Sequence, residues 1–287
     1  MFITVTGSTG TIGSALVGLL ADAHVPVRAV ARDVTALRPL PGVVPVQADL
    51  TDETLLEPVL AGTTRLFLLT GNAAGFANLQ IGVIRAARDL GVQHVVKLSA
   101  LGASGHSRSW IGSGHYDVER ELIASGIPWT ILRPHSFMQN WLDDVAESVR
   151  AEGVIRAPIG DGRVPFIDTR DIAEVAARVL LDPATHAGAK YVLTSGAAVG
   201  YADVAEALSE LLGRPVRYEP ISPDEARERM SARGLSDGAI DALLAIAAYQ
   251  RAGGPTSKVS DDVERILGRP PRTIRDFARD HARHFGG

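Results

Sequence analysis

Eight consecutive residues near the start of the chain, Thr6-Gly7-Ser8-Thr9-Gly10-Thr11-Ile12-Gly13, have the make-up of a phosphate cradle. They follow a β-branched run, Phe2 to Thr6, and open a helical stretch, Ile12 to Ala23. In that setting Gly7 permits the tight turn, Gly10 lets the backbone approach a pyrophosphate, and Gly13 allows close helix–sheet packing. Phosphates held there meet free N–H groups at the positive end of the helix. Glycine spacing alone is weak; the strand–turn–helix context makes it a dinucleotide-binding signature, against the plain alternative of a glycine turn with no ligand.

The end of the second strand selects among dinucleotides. A site for NAD usually carries an acid there, accepting from the ribose hydroxyls. This chain has Arg32, nineteen positions after Gly13. A guanidinium cannot accept those bonds but grips a 2′-phosphate through charge-assisted hydrogen bonds. NADP(H) is therefore expected, with NAD(H) usable if the adjacent Asp33 turns inward. Asp49, ahead of Leu50, either meets the adenine edge or caps the next turn. Leu69-Thr70-Gly71-Asn72 closes the fourth strand at the edge where open α/β sheets bind ligands, and Gly71 lets the backbone lie against the cofactor.

The elements that must position these residues alternate. Strands are expected at Phe2–Thr6, Val27–Ala31, Val43–Gln47, Arg65–Leu69, Val95–Leu98 and Trp129–Leu132. Helices are expected at Ile12–Ala23, after Thr51 as a cap, and at Ile81–Leu90 and Tyr116–Ser125. This is the pattern of a Rossmann-type α/β fold, a doubly wound parallel sheet. Residues 1–150, with 170–195 returning, form the nucleotide domain; 151–169 and 196–287 form a smaller, mainly helical lobe on the substrate side. Asp168 or Thr169 caps a helix ending at Leu181, Tyr191 to Leu193 adds a strand, and Gly160-Asp161-Gly162 is a turn. Ser222-Pro223-Asp224-Glu225 and Thr273 with Asp276 start later helices. Arg251 to Ser257 reads as a loop.

Composition narrows the partners. Net charge is −4, whereas a nucleic-acid binder usually carries a basic excess. The 287 residues include no cysteine, which removes disulfides and thiolate chemistry and fits a cytoplasmic protein. No apolar run approaches the roughly 18 residues that span a bilayer, and the N-terminus lacks a signal-peptide pattern. His94, His106, His186, His281 and His284 form no metal-ligand spacing with nearby carboxylates. Arg272, Arg275, Arg279 and Arg283 make a basic stripe interleaved with Asp276 and Asp280, which reads as a solvated, ion-paired face.

Several longer motifs resemble a family. Lys97-Leu98-Ser99-Ala100, His115-Tyr116-Asp117-Val118-Glu119, Ser125 through Pro134, and Phe137-Met138-Gln139-Asn140 are similar to the NmrA-like branch of the atypical short-chain dehydrogenases. Ser257 to Gly268 and the final helix are similar to its C-terminal lobe. The resemblance implies the fold, a nicotinamide dinucleotide and one of several roles. The branch holds NADPH-dependent quinone reductases, triphenylmethane and azo-dye reductases, and redox sensors that bind dinucleotide without turnover.

Short-chain dehydrogenases usually pair a tyrosine acid with a lysine four residues on. The register of the motifs puts His115 at the lysine position and Ile111 at the tyrosine position, so no tyrosine-acid mechanism is expected. Tyr116 and Arg120 share the spacing but not the register. His115 then bonds the nicotinamide ribose or donates a proton, or is a helix-start histidine with no role, and Ser99 contacts nicotinamide or substrate or makes a hydrogen bond within the strand end. Phe137, Met138, Asn140 and Trp141 either line a substrate pocket or pack as core. The expectation is an NADPH-dependent oxidoreductase passing hydride to a flat conjugated acceptor: a quinone, a dye, or a polycyclic ketone or enone. The alternative is a non-catalytic NADP(H) sensor that binds a protein partner. Oligomeric state is not legible in the sequence.

Overall fold

The β-branched runs form strands where their pattern puts them. In a computed structural model describing residues 2–287, β1 (Phe2–Val5), β2 (Val27–Ala31) and β3 (Val43–Gln47) alternate with α1 (Thr11–Asp22) and α2 (Leu56–Leu60). Next come β4 (Thr63–Leu68), α3 (Phe76–Asp89), β5 (His94–Leu98), α4 (Trp110–Ala124) and β6 (Trp129–Pro134). The sheet runs β3-β2-β1-β4-β5-β6, with every pairing in that span parallel. The order reverses between β1 and β4, the switch point at whose carboxyl edge such sheets bind ligands.

Beyond β6 the elements are α5 (Asp144–Glu152), β7 (Val154–Ala157), α6 (Thr169–Leu181), α7 (Pro183–His186) and β8 (Ala189–Leu193), which adds the seventh strand beside β6. The remainder is α8 (Tyr201–Leu212), β9 (Arg217–Pro220), α9 (Pro223–Ala232), α10 (Asp237–Ala252), α11 (Asp262–Leu267), α12 (Ile274–Asp280) and α13 (Ala282–Phe285).

Two compact units result. The first holds residues up to 107, then 111–134 and 169–192; the second holds 108–110, 135–168 and 193–287. Residues 135–150, read as nucleotide domain, fall in the second unit. The reason is packing: Val145, Ala146 and Val149 of α5 join Met138 and Trp141 in that unit's core. In the first unit, Leu66, Leu68, Val95 and Ile131 of the sheet pack on Val83 and Ile84 of α3 and on Val118 and Leu122 of α4. α1 packs against α6, both presenting buried aliphatic faces.

Some boundaries differ from the sequence reading. Asp52, not Thr51, starts the second helical segment, its carboxylate accepting from the Thr54 N–H at 3.0 Å above a 3₁₀ turn at Glu53–Leu55. α3 begins at Phe76 and α4 at Trp110, each more than a turn early. Arg251 to Ser257 holds the end of α10 and a 3₁₀ turn at Gly254–Ser257. A parallel pair, β7 with β9, lies in the otherwise helical second unit. The Ser222 and Thr273 caps form as read, accepting from the N–H groups of Glu225 and Asp276.

The glycines that shape the first turn have unequal duties. A Cβ on Gly13 would sit 2.1 Å from the Gly7 carbonyl oxygen, a backbone atom that cannot swing away. Gly13→Ala should therefore lower unfolding free energy by about 1–3 kcal/mol or more, as overpacking does. Gly10→Ala, whose Cβ would lie 3.4 Å from the same oxygen, should lose less. Denaturant midpoints of the two variants decide the matter; equal stability of Gly13→Ala and wild type would refute the packing account.

Candidate functional site

The carboxyl edge of β1 is built by side chains that serve the turn. Thr6 Oγ1 donates to Leu69 O at 2.8 Å and accepts from Leu69 N–H at 2.9 Å, locking the ends of β1 and β4 together. Ser8 Oγ donates to Val30 O at 2.7 Å and is fully buried, so it ties the turn to β2 and faces inward. Gly7 sits at φ +64°, where a Cβ would also meet Leu69 O at 2.8 Å. Ile12 is buried beneath the turn, while Thr9, Gly10 and Thr11 are exposed.

Gly10 is different from its two partners. It is the N-cap of α1, offers no capping side chain, and is followed by no acidic residue in the first turn. A Cβ there would meet nothing but the Gly7 oxygen, at ordinary contact distance. The chain's own packing does not require glycine at this position. An uncapped positive helix end suits an anion.

The residues beyond β2 sort the two acids. Asp33 Oδ1 accepts from Thr35 N–H at 2.9 Å and Thr35 Oγ1 at 2.6 Å, so its carboxylate caps the following 3₁₀ turn, and these bonds hold its pKa below the ordinary value. Arg32 is exposed, and among the described residues its guanidinium makes no hydrogen bond or ion pair. Asp49 repeats the cap, Oδ1 accepting from Thr51 N–H and Oγ1 at 3.0 and 2.8 Å, ahead of the half-buried Leu50. At the end of β4, Leu69 and Thr70 are half-buried and Gly71 and Asn72 exposed. The buried Gln80 of α3 donates to Thr70 Oγ1 at 2.6 Å.

Past β5 lie groups whose roles the sequence did not disclose. Lys97 is fully buried; its ammonium donates to Leu98 O and lies 3.1 Å from His115 Nδ1. Burial pushes this amine from 10.5 down to about 7, against the pull of Glu119. Burial, then the charge of Lys97, push His115 far below its usual value, so its ring is neutral at ordinary pH. His115 is 5% exposed and its ring lies 4.9 Å from that of Phe76. Gly114 makes room for that ring, since a Cβ there would sit 2.8 Å from it. Ile111 lies one turn earlier on α4 and is half-buried.

Ser99 Oγ donates to Glu119 Oε1 at 2.5 Å, and the same carboxylate receives both arms of Arg133, at 2.8 and 2.5 Å, and Lys190 at 3.3 Å. Burial raises the Glu119 carboxyl, but Arg133, Ser99 and Lys190 outweigh it and keep it ionised. The Ser99 proton is thus committed, leaving only its lone pairs to offer. The signals that could have pointed to this cluster are a lysine inside the apolar run of β5 and an acid one turn beyond His115.

In the second unit, Met138 and Trp141 are 0% and 2% exposed and belong to its core, Trp141 edge-on to Phe166 and Phe277 at 4.8 and 5.6 Å. They are core residues rather than an accessible wall. Phe137 is half-buried and bridges to Ile167, and Asn140 is exposed. On the last helices Arg279 pairs with Asp276, while Arg275 reaches across to Glu210 of α8. Among the described residues no cluster of three His, Asp or Glu side chains could hold a metal ion. No helix among them is long and apolar enough to cross a membrane.

The chain belongs to the NmrA-like family, whose sequence model matches residues 1–263. It is 37% identical over 289 residues to an NAD(P)H azoreductase of Xenophilus azovorans, covering 99% of each chain. It is 35% identical to a (4-alkanoyl-5-oxo-2,5-dihydrofuran-3-yl)methyl phosphate reductase of Streptomyces griseus, again over 99% of each chain. Its structure is similar to the NADPH complex of Escherichia coli quinone oxidoreductase QOR2, with TM-score 0.87, 28% identity, and 98% and 99% of the two chains covered.

Two outcomes follow from the buried charges. Glu119→Gln should cost about 3 kcal/mol, toward the low end for a broken buried ion pair because the Arg133 side chain keeps 22% exposure. Because the folded carboxyl titrates lower than its unfolded value of 4.5, the gap is full above that pH and closes as the pH falls through the folded value. Lys97→Met should raise stability near neutrality, where the wild type bears the buried amine. That advantage should shrink as the pH rises from about 7 toward 10.5, where the amine is neutral in both states. Unfolding free energies across pH check both signs.

Proposed function

We propose that this NmrA-like protein is an NADPH-dependent reductase of flat, conjugated, electron-poor acceptors. The observation that carries the cofactor assignment is Gly10: an exposed, side-chain-free N-cap that the chain's own packing does not need. When bound, the reduced nicotinamide supplies hydride. Every other task falls to this chain's residues.

The turn from Gly7 to Gly13 holds the pyrophosphate through first-turn N–H groups of α1. Arg32 meets the 2′-phosphate, and the commitment of Asp33 to Thr35 removes the acid that would otherwise favour NAD(H). NADP(H) is thus preferred and NAD(H) usable. Asp49 and Leu50 border the adenine, and Leu69 to Asn72 present backbone at the switch point. Ser99 and His115 stand nearest the reacting end, with His115 the one whose hydrogen-bonding capacity is still open.

The acceptor class rests on the relatives. An azo bond, a quinone and an oxo-dihydrofuran ring are each an electron-poor conjugated system, and such acceptors need a protein to bind, align and exclude water more than to activate them. The sensor reading draws only on fold-level likeness to a transcriptional regulator at 19% identity. The same reading makes the partner a small molecule and the setting the cytoplasm, where NADPH is kept reduced.

Titration with NADPH and NADH, then NADPH oxidation across azo dyes, quinones and conjugated enones, tests this. Arg32→Ala should weaken NADPH by about 10- to 100-fold, the worth of hydrogen bonds to a charged group, and leave NADH nearly unchanged. An unaltered ratio of the two affinities would remove the 2′-phosphate assignment. Tight binding with no turnover across the panel would overturn the reductase.

A further inference from the structure

One buried group has no task in the reading above: the Lys97 amine. A lysine with no exposed surface is rare, because its charge must be taken out of water. Among the described residues the ammonium has only the Leu98 carbonyl and His115 Nδ1 as hydrogen-bond partners. The stronger ion-pair acceptor, Glu119, is taken up by Arg133, Ser99 and Lys190. The lysine is therefore directed at the histidine.

That contact fixes the ring. While the amine is protonated it has donors and no acceptor, so Nδ1 accepts and the imidazole proton lies on Nε2. Among the described residues Nε2 has no hydrogen-bond partner, which leaves a donor free for a bound molecule. A neutral imidazole is too weak an acid to give that proton up by itself. It can do so only if Nδ1 gains a proton in the same step, and the Lys97 ammonium is the group touching Nδ1.

We propose that Lys97 is a positioning residue and proton reservoir for His115: its ammonium holds the ring with the proton on Nε2 and refills Nδ1 as that proton leaves for the reduced acceptor. The inference rests on the reductase reading. For an azo acceptor the step balances as follows. Hydride from the reduced nicotinamide forms an N–H bond at one nitrogen, and the π pair of N=N moves to the other. That nitrogen takes the Nε2 proton of His115, Nδ1 takes a proton from Lys97, and the lysine is left as a neutral amine. Water returns one proton through His115 after product leaves. The lowered affinity of the Lys97 amine for its proton favours the transfer. The charged groups around the pair are Glu119 on α4, Arg133 on β6 and Lys190 on β8; Phe76 on α3 covers the ring without charge.

The test compares acceptors that differ in proton demand. An azo dye needs hydride and a proton, whereas a cationic triphenylmethane dye becomes its neutral leuco form with hydride alone. In Lys97→Met the ratio of azo-dye to cationic-dye turnover should fall by at least about tenfold, the lower range for loss of a proton donor. His115→Phe should lower the ratio similarly, and the double variant should fall no further, because both act through one ring. Independently of turnover, ¹⁵N–¹H correlation spectra of the histidine rings below pH 7, with the His115 signal assigned by its loss in His115→Phe, should show the Nε2–H form in wild type and a shifted Nδ1 resonance in Lys97→Met, whose ring no longer accepts from an ammonium. Circular dichroism and thermal midpoints confirm that the variants are folded. An unchanged dye ratio, additive effects in the double variant, or an Nδ1–H ring in wild type would overturn the proposal. If wild type reduces neither dye and no quinone or enone, the reductase reading fails, and the ring spectra alone decide whether Lys97 holds the ring.

Discussion

No side chain separates α1 from the turn beneath it. The Gly13 backbone lies so close to the Gly7 carbonyl that a single added carbon would overlap it. Much else follows from that backbone-to-backbone approach. It sets the helix N-terminus directly over the end of β1, where Thr6 has already bound the strand to β4 and Ser8 has bound the turn to β2. The three central strand ends are thereby held in one place, and the positive end of the helix is left uncapped above them. A looser turn with ordinary residues would have let capping side chains fill the same space.

A second constraint acts at the other side of the switch point. Glu119 is a nearly buried carboxylate that gathers Ser99 from the end of β5, Arg133 from β6 and Lys190 from β8. Desolvating it is unfavourable, and three partners together offset that cost. The network therefore fixes strand ends rather than reacting groups, and it takes the Ser99 hydroxyl with it. Lys97, two residues before Ser99 on β5, has less compensation: among the described residues, the Leu98 carbonyl, His115 Nδ1 and the pull of Glu119. A fully buried lysine set against a histidine departs from the apolar make-up of the core around it.

Much of this was legible in the sequence, for identifiable reasons. Strands in a parallel sheet are short apolar runs between turn signals, so β2 and β3 match their readings to the residue. Helix starts marked by a capping residue, such as Ser222 and Thr273, were equally plain. The start of α4 was not: the helix was expected only from Tyr116, and its first turns carry Gly112 and Gly114, which are there because Ser107, the Gly102 carbonyl and the Phe76 ring leave no room for a Cβ. Helix propensity was overridden by packing that no local window contains. The β7–β9 pair escaped notice because β9 is only four residues long, carries Arg217 and Glu219, and ends in Pro220, with no β-branched residue to mark it. At the site, the cradle and Arg32 were visible as motif, since backbone chemistry depends on local spacing. The orientation of Asp33 and the commitment of Ser99 were not, because each depends on where a partner lies in space. Lys97 and Glu119 stood in plain view but acquired meaning only once β5 and α4 were side by side.

The boundary between the two units is crossed five times, at 107/108, 110/111, 134/135, 168/169 and 192/193. Neither unit is therefore a cassette. A recombination event that swapped the second for that of a relative would have to replace three separate segments together and leave intact the stretch that returns α6 and most of β8 to the first. Diversification in a chain wired this way proceeds by point changes and by remodelling of individual loops, while the nucleotide-binding half and the half that accompanies it are inherited as one.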